Sequence, residues 1–323
     1  MTFHVDTLTV TMRSVNATVP SAQWSHMSND PSTVLRADYL TWLRELHASR
    51  PFGEGDRLGT ASLINDAARQ RARDAIGSGT PVSLCRPLVS SSNERANGRP
   101  SFTLEVFFTD GPVAMGSDHI ELDCHGTENT HIDGLNHIGL DGTWYGGFAS
   151  DDPDAPSIIE FARTGIVTRG VHADIPALRG TEWVDPDQPV TGADLDAALA
   201  KAGVTFEPGD ALLLDMGRDR YEAAGNSWSP DCNPGIGADG AHWIVDHGVS
   251  ILCWDFLDAS HAEEPLAPVH MLNWATGLVL VDNCDHSRLR AACSDRGSTG
   301  ALVIGPLPID GGTGNNVNPI VLL

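Results

Sequence analysis

The sequence predicts a mixed α/β domain, because one pattern occurs three times in its second half. Each time a helix-compatible stretch, a glycine-bearing turn and a short apolar run follow one another. The first set is residues 193–202 ended by Gly203, the turn Pro208-Gly209-Asp210 and the run 211–215; the second is 240–246 and 251–256; the third is 271–277 and 278–281, closing on Asp282. Short apolar runs without polar alternation mark strands buried on both faces.

The other elements follow in chain order. Residues 1–34 are polar and irregular, rich in Ser, Thr, Asn and Pro, and read as an N-terminal arm. Residues 35–49 place Leu40, Leu43 and Leu46 near one face of a helix. A loop at 53–59 leads to a second helix, 65–76, filled with Ala and Arg. Gly77-Ser78-Gly79-Thr80 ends it, and a strand starts at Pro81. The polar stretch 90–101 reads either as the border of a substrate pocket or as a surface insertion, before a strand at 102–108. Residues 165–175 read as strand, turn, strand. Thr191 with Asp194 forms a capping box ahead of the helix at 193. The apolar runs 301–309 and 319–323 are closing strands. No internal repeat and no linker divides the chain, so residues 35–323 form one domain.

Composition excludes several functions. The chain has 323 residues, 41% of them hydrophobic, and a formal net charge of −23. No basic stripe exists to neutralise phosphates, which argues against nucleic acid as a partner and against an anionic membrane surface. No stretch approaches the length of a membrane span, and residues 1–13 lack the form of a signal peptide. Six scattered cysteines without a Cys-x-x-Cys pair fit reduced thiols in the cytoplasm. Lys201 is the single lysine and sits in a surface helix, which leaves little room for Schiff-base chemistry. No Gly-x-Ser-x-Gly is present for a serine hydrolase. His119-Ile120-Glu121 is not followed by the cysteine pair of a zinc deaminase. Gly311-Gly312-Thr313-Gly314 lacks the lysine of a phosphate loop and reads as a turn approaching the active site.

The chemistry concentrates in residues 125–137, which hold His125, His131, Asp133 and His137. Imidazole and carboxylate are the usual protein ligands of a hydrolytic Zn²⁺ or Mn²⁺ ion. In extended chain, His131 and Asp133 share a face. A helix starting near Asp133 puts His137 one turn on, on the same face, and His125 returns through a loop at Gly126. The competing reading is a polar loop. Downstream, Trp144 and Tyr145 follow a tight turn at Asp141-Gly142; they form either an aromatic wall for a flat substrate or packing that fixes the loop. Arg169 suits a product carboxylate or a structural ion pair, and His172 reads as a packing residue. Asp255 either supports a metal-bound histidine or makes a strand-end salt bridge, and Glu263 and Glu264 read as surface charges, the alternative being that one of them faces the pocket.

Thr130-His131-Ile132-Asp133 followed by His137 resembles the core motif of the metal-dependent cyclase-like hydrolases, a family that includes bacterial kynurenine formamidase and isatin hydrolase. The family's short motif is His-x-Gly-Thr-His-x-Asp-x-x-x-His. Here the residue four before His131 is Thr127, and the upstream histidine is His125, six before. The expectation is that His125 reaches the metal through a loop two residues longer. Three further stretches are similar to long members of the family: Gly59-Thr60 through Pro87-Leu88, Asp141-Gly142-x-x-Tyr145-x-Gly147, and Thr168-Arg169-Gly170-Val171. In the family a late histidine is followed twelve residues on by a metal-binding Glu; here the pair is His270 and Asp282, one methylene shorter. The likeness extends over roughly residues 50–310.

The resemblance implies a mixed-sheet swivelling β/β/α-type single domain, catalytic over 35–323. It implies a divalent metal, Zn²⁺ or Mn²⁺, on His125, His131, Asp133, His270 and Asp282, with His137 as proton carrier. The implied reaction is hydrolysis of a C–N bond in an aryl formamide, cyclic amide or imide, in a homodimer or larger assembly. Lactone hydrolysis, a non-hydrolytic cyclase or lyase, and a binding protein with a degenerate metal site are the alternatives.

Overall fold

A computed structural model of the chain describes residues 35–89, 101–109, 112–227, 233–260 and 264–323. The N-terminal arm, nearly all of the polar loop at 90–101, Cys232 and Glu263 lie outside them. Among the described residues the strands are, in chain order, β1 (Pro81–Ser83), β2 (Phe102–Thr109), β3 (Met115–Leu122), β4 (His131–Asp133), β5 (Ile166–Asp174), β6 (Ala211–Asp215), β7 (Ile251–Trp254), β8 (Val279–Asp282), β9 (Thr299–Ile304), β10 (Gly314–Asn316) and β11 (Ile320–Leu322). Nine of these form one sheet, in the order β1-β11-β9-β5-β6-β7-β8-β4-β10. The four from β5 to β8 are parallel neighbours in chain order, and those flanking them pair antiparallel. The result is a mixed α/β domain on one large mixed sheet.

Parallel neighbours need a crossover between them. The helices Gly192–Ala202, Ala238–Asp246 and Met271–Thr276 lie in the three crossovers, which are the three recurrences seen in the sequence. Thr191 and Asp194 close the expected capping box, and Gly203 ends that helix at φ 67°. Strand alternation divides the core in two. Leu212 and Leu214 of β6 pack with Leu43, Leu195 and Trp243 on one face. Ala211 and Leu213 pack with Ile132, Val281 and Val321 on the other. Burial on both faces explains why these runs show no polar positions.

Two elements differ from the sequence reading. Residues 166–174 are one strand rather than strand, turn, strand. Gly170 marks a close approach: a Cβ there would stand 2.8 Å from Leu213 Cδ1 on β6. The run 301–309 stops being strand at Ile304, ahead of Pro306 and Pro308, which lack a ladder donor. The strand at 102–108 joins β3 alone, in a two-stranded hairpin outside the main sheet. On that hairpin Leu104 opposes Ile120, Val106 opposes Asp118 and Phe108 opposes Gly116. These residues share one face, and Leu104, Val106, Phe108 and Ile120 are all exposed. No described helix is long and apolar enough to cross a membrane.

Leu213 is 1% exposed at the centre of the sheet. Leu213→Ala is expected to lower stability by about 2–5 kcal/mol, read as a reduced urea midpoint at unchanged slope.

Candidate metal centre

The site forms at the edge of the sheet where β4 joins β8. His131 is the register partner of Asp282, so the two side chains emerge side by side, and Asp133 lies two residues along the same strand. His131 Nε2 is 3.6 Å from Asp133 Oδ1 and 3.7 Å from Asp282 Oδ2. Its Nδ1 is 2.8 Å from the Asn129 carbonyl, which can only accept. The Nδ1 position therefore carries a proton, and Nε2 faces the two carboxylates.

The other imidazoles converge on Asp133. His125 Nδ1 is 3.0 Å and His137 Nε2 3.9 Å from its Oδ1. The rings of His125 and His137 stack at 3.6 Å, and His125 meets His131 edge-on. Thr313 Oγ1, 2.9 Å from His125 Nε2, fixes the far side of that ring. Gly314 makes room for it, since a Cβ there would lie 2.8 Å from His125 Cε1. The glycine-rich turn read in the sequence thus does abut the cluster. His137 arrives by a tight turn rather than a helix. The Gly134 amide donates to Thr313 O at 2.7 Å and the His137 amide to Gly134 O at 3.3 Å, bending the chain as it leaves β4.

His270 stands between two carboxylates. Nδ1 bonds Asp258 Oδ2, and Nε2 is 3.1 Å from Asp282 Oδ2. Burial disfavours its charged form, but Asp258 and Asp282 outweigh that and raise its pKa well above the usual value. Trp254 Nε1 donates to Asp282 Oδ1 at 2.6 Å. Burial also pushes the Asp133 carboxyl up, yet its imidazoles, His137 foremost, outweigh burial and hold it below the usual range. His137 is driven down to about 4, chiefly by burial and further by the neighbouring histidines, against the pull of Asp133.

This donor set fits a divalent cation. Asp133 is 0% exposed and has no arginine or lysine partner among the described residues; imidazoles approach it instead, His125 Nδ1 nearest at 3.0 Å. Burying a carboxylate costs several kcal/mol unless positive charge or hydrogen-bond donors meet it. Ligand atoms that each lie about 2 Å from one ion stand about 3–4 Å apart. Among the described residues two such groups occur, sharing Asp133: His125, Asp133 and His137, and His131, Asp133 and Asp282. Asp282 reaches the cluster despite being shorter than Glu, because its register with His131 places it there. His270 touches the cluster through Asp282.

Trp144 and Tyr145 lie beyond the turn. A Cβ on Gly139, two residues past His137, would stand 2.7 Å from the Trp144 ring, and Trp144 Nε1 donates to Ser150 O at 3.1 Å. Tyr145 is buried, and its hydroxyl donates to Asp56 Oδ2 at 2.8 Å. Sequence reasoning missed Asp258 and Trp254, whose partners are set only by the fold; Thr313 lies in the turn it expected near the site, without the contact to His125. It gave Asp255 a choice of histidine support or a salt bridge. The structure gives the support of His270 to Asp258, while the Asp255 carboxylate accepts the amides of Met216, Arg218 and Phe256.

The Cyclase family model matches residues 25–261, and the chain belongs to that family. A solved structure described as a novel cyclase has a TM-score of 0.74 at 24% identity, covering 87% of this chain and 99% of that one. Isatin hydrolase A from Ralstonia solanacearum has a TM-score of 0.55 at 18% identity, covering 79% and 94%. An isatin hydrolase bound to the product analogue thioisatinate has a TM-score of 0.51 at 18% identity, covering 77% and 90%. No curated protein matches.

A second histidine–carboxylate cluster lies farther along the same sheet edge. His172 Nε2 is 3.3 Å from Asp215 Oδ2, which makes His172 a partnered packing residue. Arg290 clasps Asp215 with Nε at 2.7 Å and Nη2 at 2.6 Å, and also bonds Asp219. Burial disfavours charge on His172, but its bonds to Asp215 and Cys293 outweigh burial and raise its pKa to about 10. His286 beside it is pushed down to about 4, mainly by burial. Arg169 takes the structural role, paired with Asp210. A histidine raised in the fold stabilises fully below its unfolded pKa of about 6.5. That contribution is lost progressively as pH rises toward about 10. Unfolding stability, measured by urea titration from pH 6 to 10, should therefore fall with pH, and His172→Gln should flatten the slope.

Proposed function

We propose that this protein is a metal-dependent hydrolase that cleaves the C–N bond of an aryl formamide, a cyclic amide or an imide. The observation that carries the reading is the buried Asp133 carboxylate, which faces three imidazoles and has no arginine or lysine partner among the described residues. His125, His131, Asp133, His270 and Asp282 are the residues assigned to Zn²⁺ or Mn²⁺. Such an ion supplies Lewis acidity, which acidifies water and polarises a carbonyl.

The chain's own groups do the rest. His131, with a proton fixed on Nδ1, turns Nε2 inward. Asp258 holds His270 through Nδ1 and so orients its Nε2. His137 is the proton carrier: it is neutral at pH 7, partly open to solvent, and stacked on His125. It can accept a proton from water and deliver it to a departing nitrogen. Trp144, lying just past His137, is assigned as an aromatic wall for a flat substrate, while Tyr145, buried and bonded to Asp56, packs the loop behind it. The membership in the Cyclase family and the isatin-hydrolase folds support the choice of a carbonyl substrate.

We assign a homodimer to the active form. Its support is the exposed apolar face of the β2–β3 hairpin, since a lone two-stranded arm is marginal in water and such a face marks an association surface.

His137→Ala should retain bound metal by elemental analysis while turnover on a panel of amides, imides and lactones falls by about 10²–10⁴-fold. Asp133→Ala should lose both metal and turnover. Full metal content in Asp133→Ala would refute the ligand assignment, and product free of ¹⁸O after reaction in labelled water would refute hydrolysis. In light scattering the wild-type chain should run at twice its mass, with Leu104→Glu/Phe108→Glu at the monomer mass; a monomeric wild type overturns the dimer.

A further inference from the structure

We infer that Asn283 and Arg218 are positioning residues that fold the loop at 124–130 onto the metal centre, holding His125 and His131 in place. The inference rests on the metal-centre reading above. It concerns the segment where this chain departs from the family motif, with Thr127 in the place of a histidine.

Three carbonyls of this loop accept from two buried side chains. Asn283 Nδ2 donates to Gly126 O at 2.7 Å and to Asn129 O at 3.1 Å. Arg218 Nη2 donates to Thr127 O. These carbonyls flank the metal-facing groups. Gly126 follows His125, and Asn129 O also takes the Nδ1 proton of His131. One side-chain amide therefore touches both the chain beside His125 and the group that sets the tautomer of His131.

The clamp is itself fixed. Arg218 Nη1 donates to Asn283 Oδ1 at 2.7 Å and to Asp255 O at 3.0 Å. An acceptor toward Arg218 leaves the Asn283 NH₂ facing the loop, so the amide has one orientation. Asn283 is 0% exposed and Arg218 4%. Thr130 Oγ1 donates to Asn283 O at 2.8 Å and ties the end of the loop to the same residue.

The backbone points the same way. Asn283 directly follows Asp282 and has φ 55°, in the left-handed region. Glycine is the cheaper residue there. An asparagine in this place is accounted for by its amide, which bridges strand β8 to the loop of His125. Without that donor the Gly126 and Asn129 carbonyls lose a partner, and the loop can turn out to water. His125 would then leave Asp133, and His131 would be free to rotate.

The test uses metal-free full-length protein and Zn²⁺ titrated by calorimetry. Asn283→Asp keeps the acceptor toward Arg218 but sets an oxygen against two carbonyls; Asn283→Gly removes the clamp at a φ that glycine adopts without strain. Each variant that keeps the wild-type circular dichroism should bind Zn²⁺ at least tenfold more weakly. Combined with His125→Ala, the loss should be smaller than the product of the single losses, because both act through one ligand. Should Asn283→Asp fail to fold, Asn283→Gly gives the reading. Wild-type affinity in a folded variant, or losses that multiply, overturns the inference. Absence of Zn²⁺ binding by the wild type instead overturns the metal centre and the inference with it.

Discussion

The structure depends on one unbalanced charge. Asp133 is fully buried and has no arginine or lysine partner among the described residues, a state that a fold tolerates only where positive charge is supplied. Its neighbours within 4 Å are three imidazoles. Two of these are fixed by their other nitrogens, His131 on Asn129 and His125 on Thr313. The nitrogens thus converge on the carboxylate from three sides, where a cation would sit. Holding such a cluster together requires a rigid frame, and the sheet supplies it.

The frame follows from strand order. The parallel strands β5 to β8 end at a common edge, and Asp174, Asp215 and Asp282 are the last residues of β5, β6 and β8, with Asp255 just after β7. Acidic groups gathered at the carboxyl ends of parallel strands are a recurrent place for ligand sites. Adding β4 antiparallel to β8 brings His131 opposite Asp282 and Asp133 alongside. Adding β10 antiparallel to β4 then sets Gly314 opposite Asp133, and with it the room for His125. Two pairings in register therefore build a site from segments about 150 and 180 residues apart in sequence.

Much of this was legible in the chain. Buried strands 211–215 and 251–254 could be read because a strand covered on both faces is apolar throughout. His131 and Asp133 share a face by the period of a strand, wherever that strand lies. The position of His137 also followed from its spacing, although a turn pinned by Thr313 takes the place of the expected helix. The turn expected within 165–175 does not form, because glycine carries two meanings, a turn or a close approach, and at Gly170 only the neighbouring Leu213 distinguishes them. The partners of the site residues were not legible at all. Asp258 and Trp254 reach His270 and Asp282 through crossovers, and nothing local marks them. The resemblance alone pointed to His270 and Asp282, and register explains why the shorter aspartate still reaches.

The two histidine–carboxylate clusters on the sheet edge show why identical residue types give different outcomes. Asp215 and His172 resemble Asp133 and His131 in burial and in ingredients. Asp215, however, is clasped by the Arg290 guanidinium, a permanent cation with a fork matched to a carboxylate. Its charge is balanced within the chain, so the pair serves the fold. Asp133 has no arginine or lysine in ion-pair contact among the described residues, and the basic residue nearest in role, Arg218, is turned instead toward Thr127 O and Asn283. The chain thus directs this cation to Glu222 and to backbone carbonyls, and leaves Asp133 without one. A stable fold gains nothing from that choice, whereas a centre that must accept an ion from solution requires it.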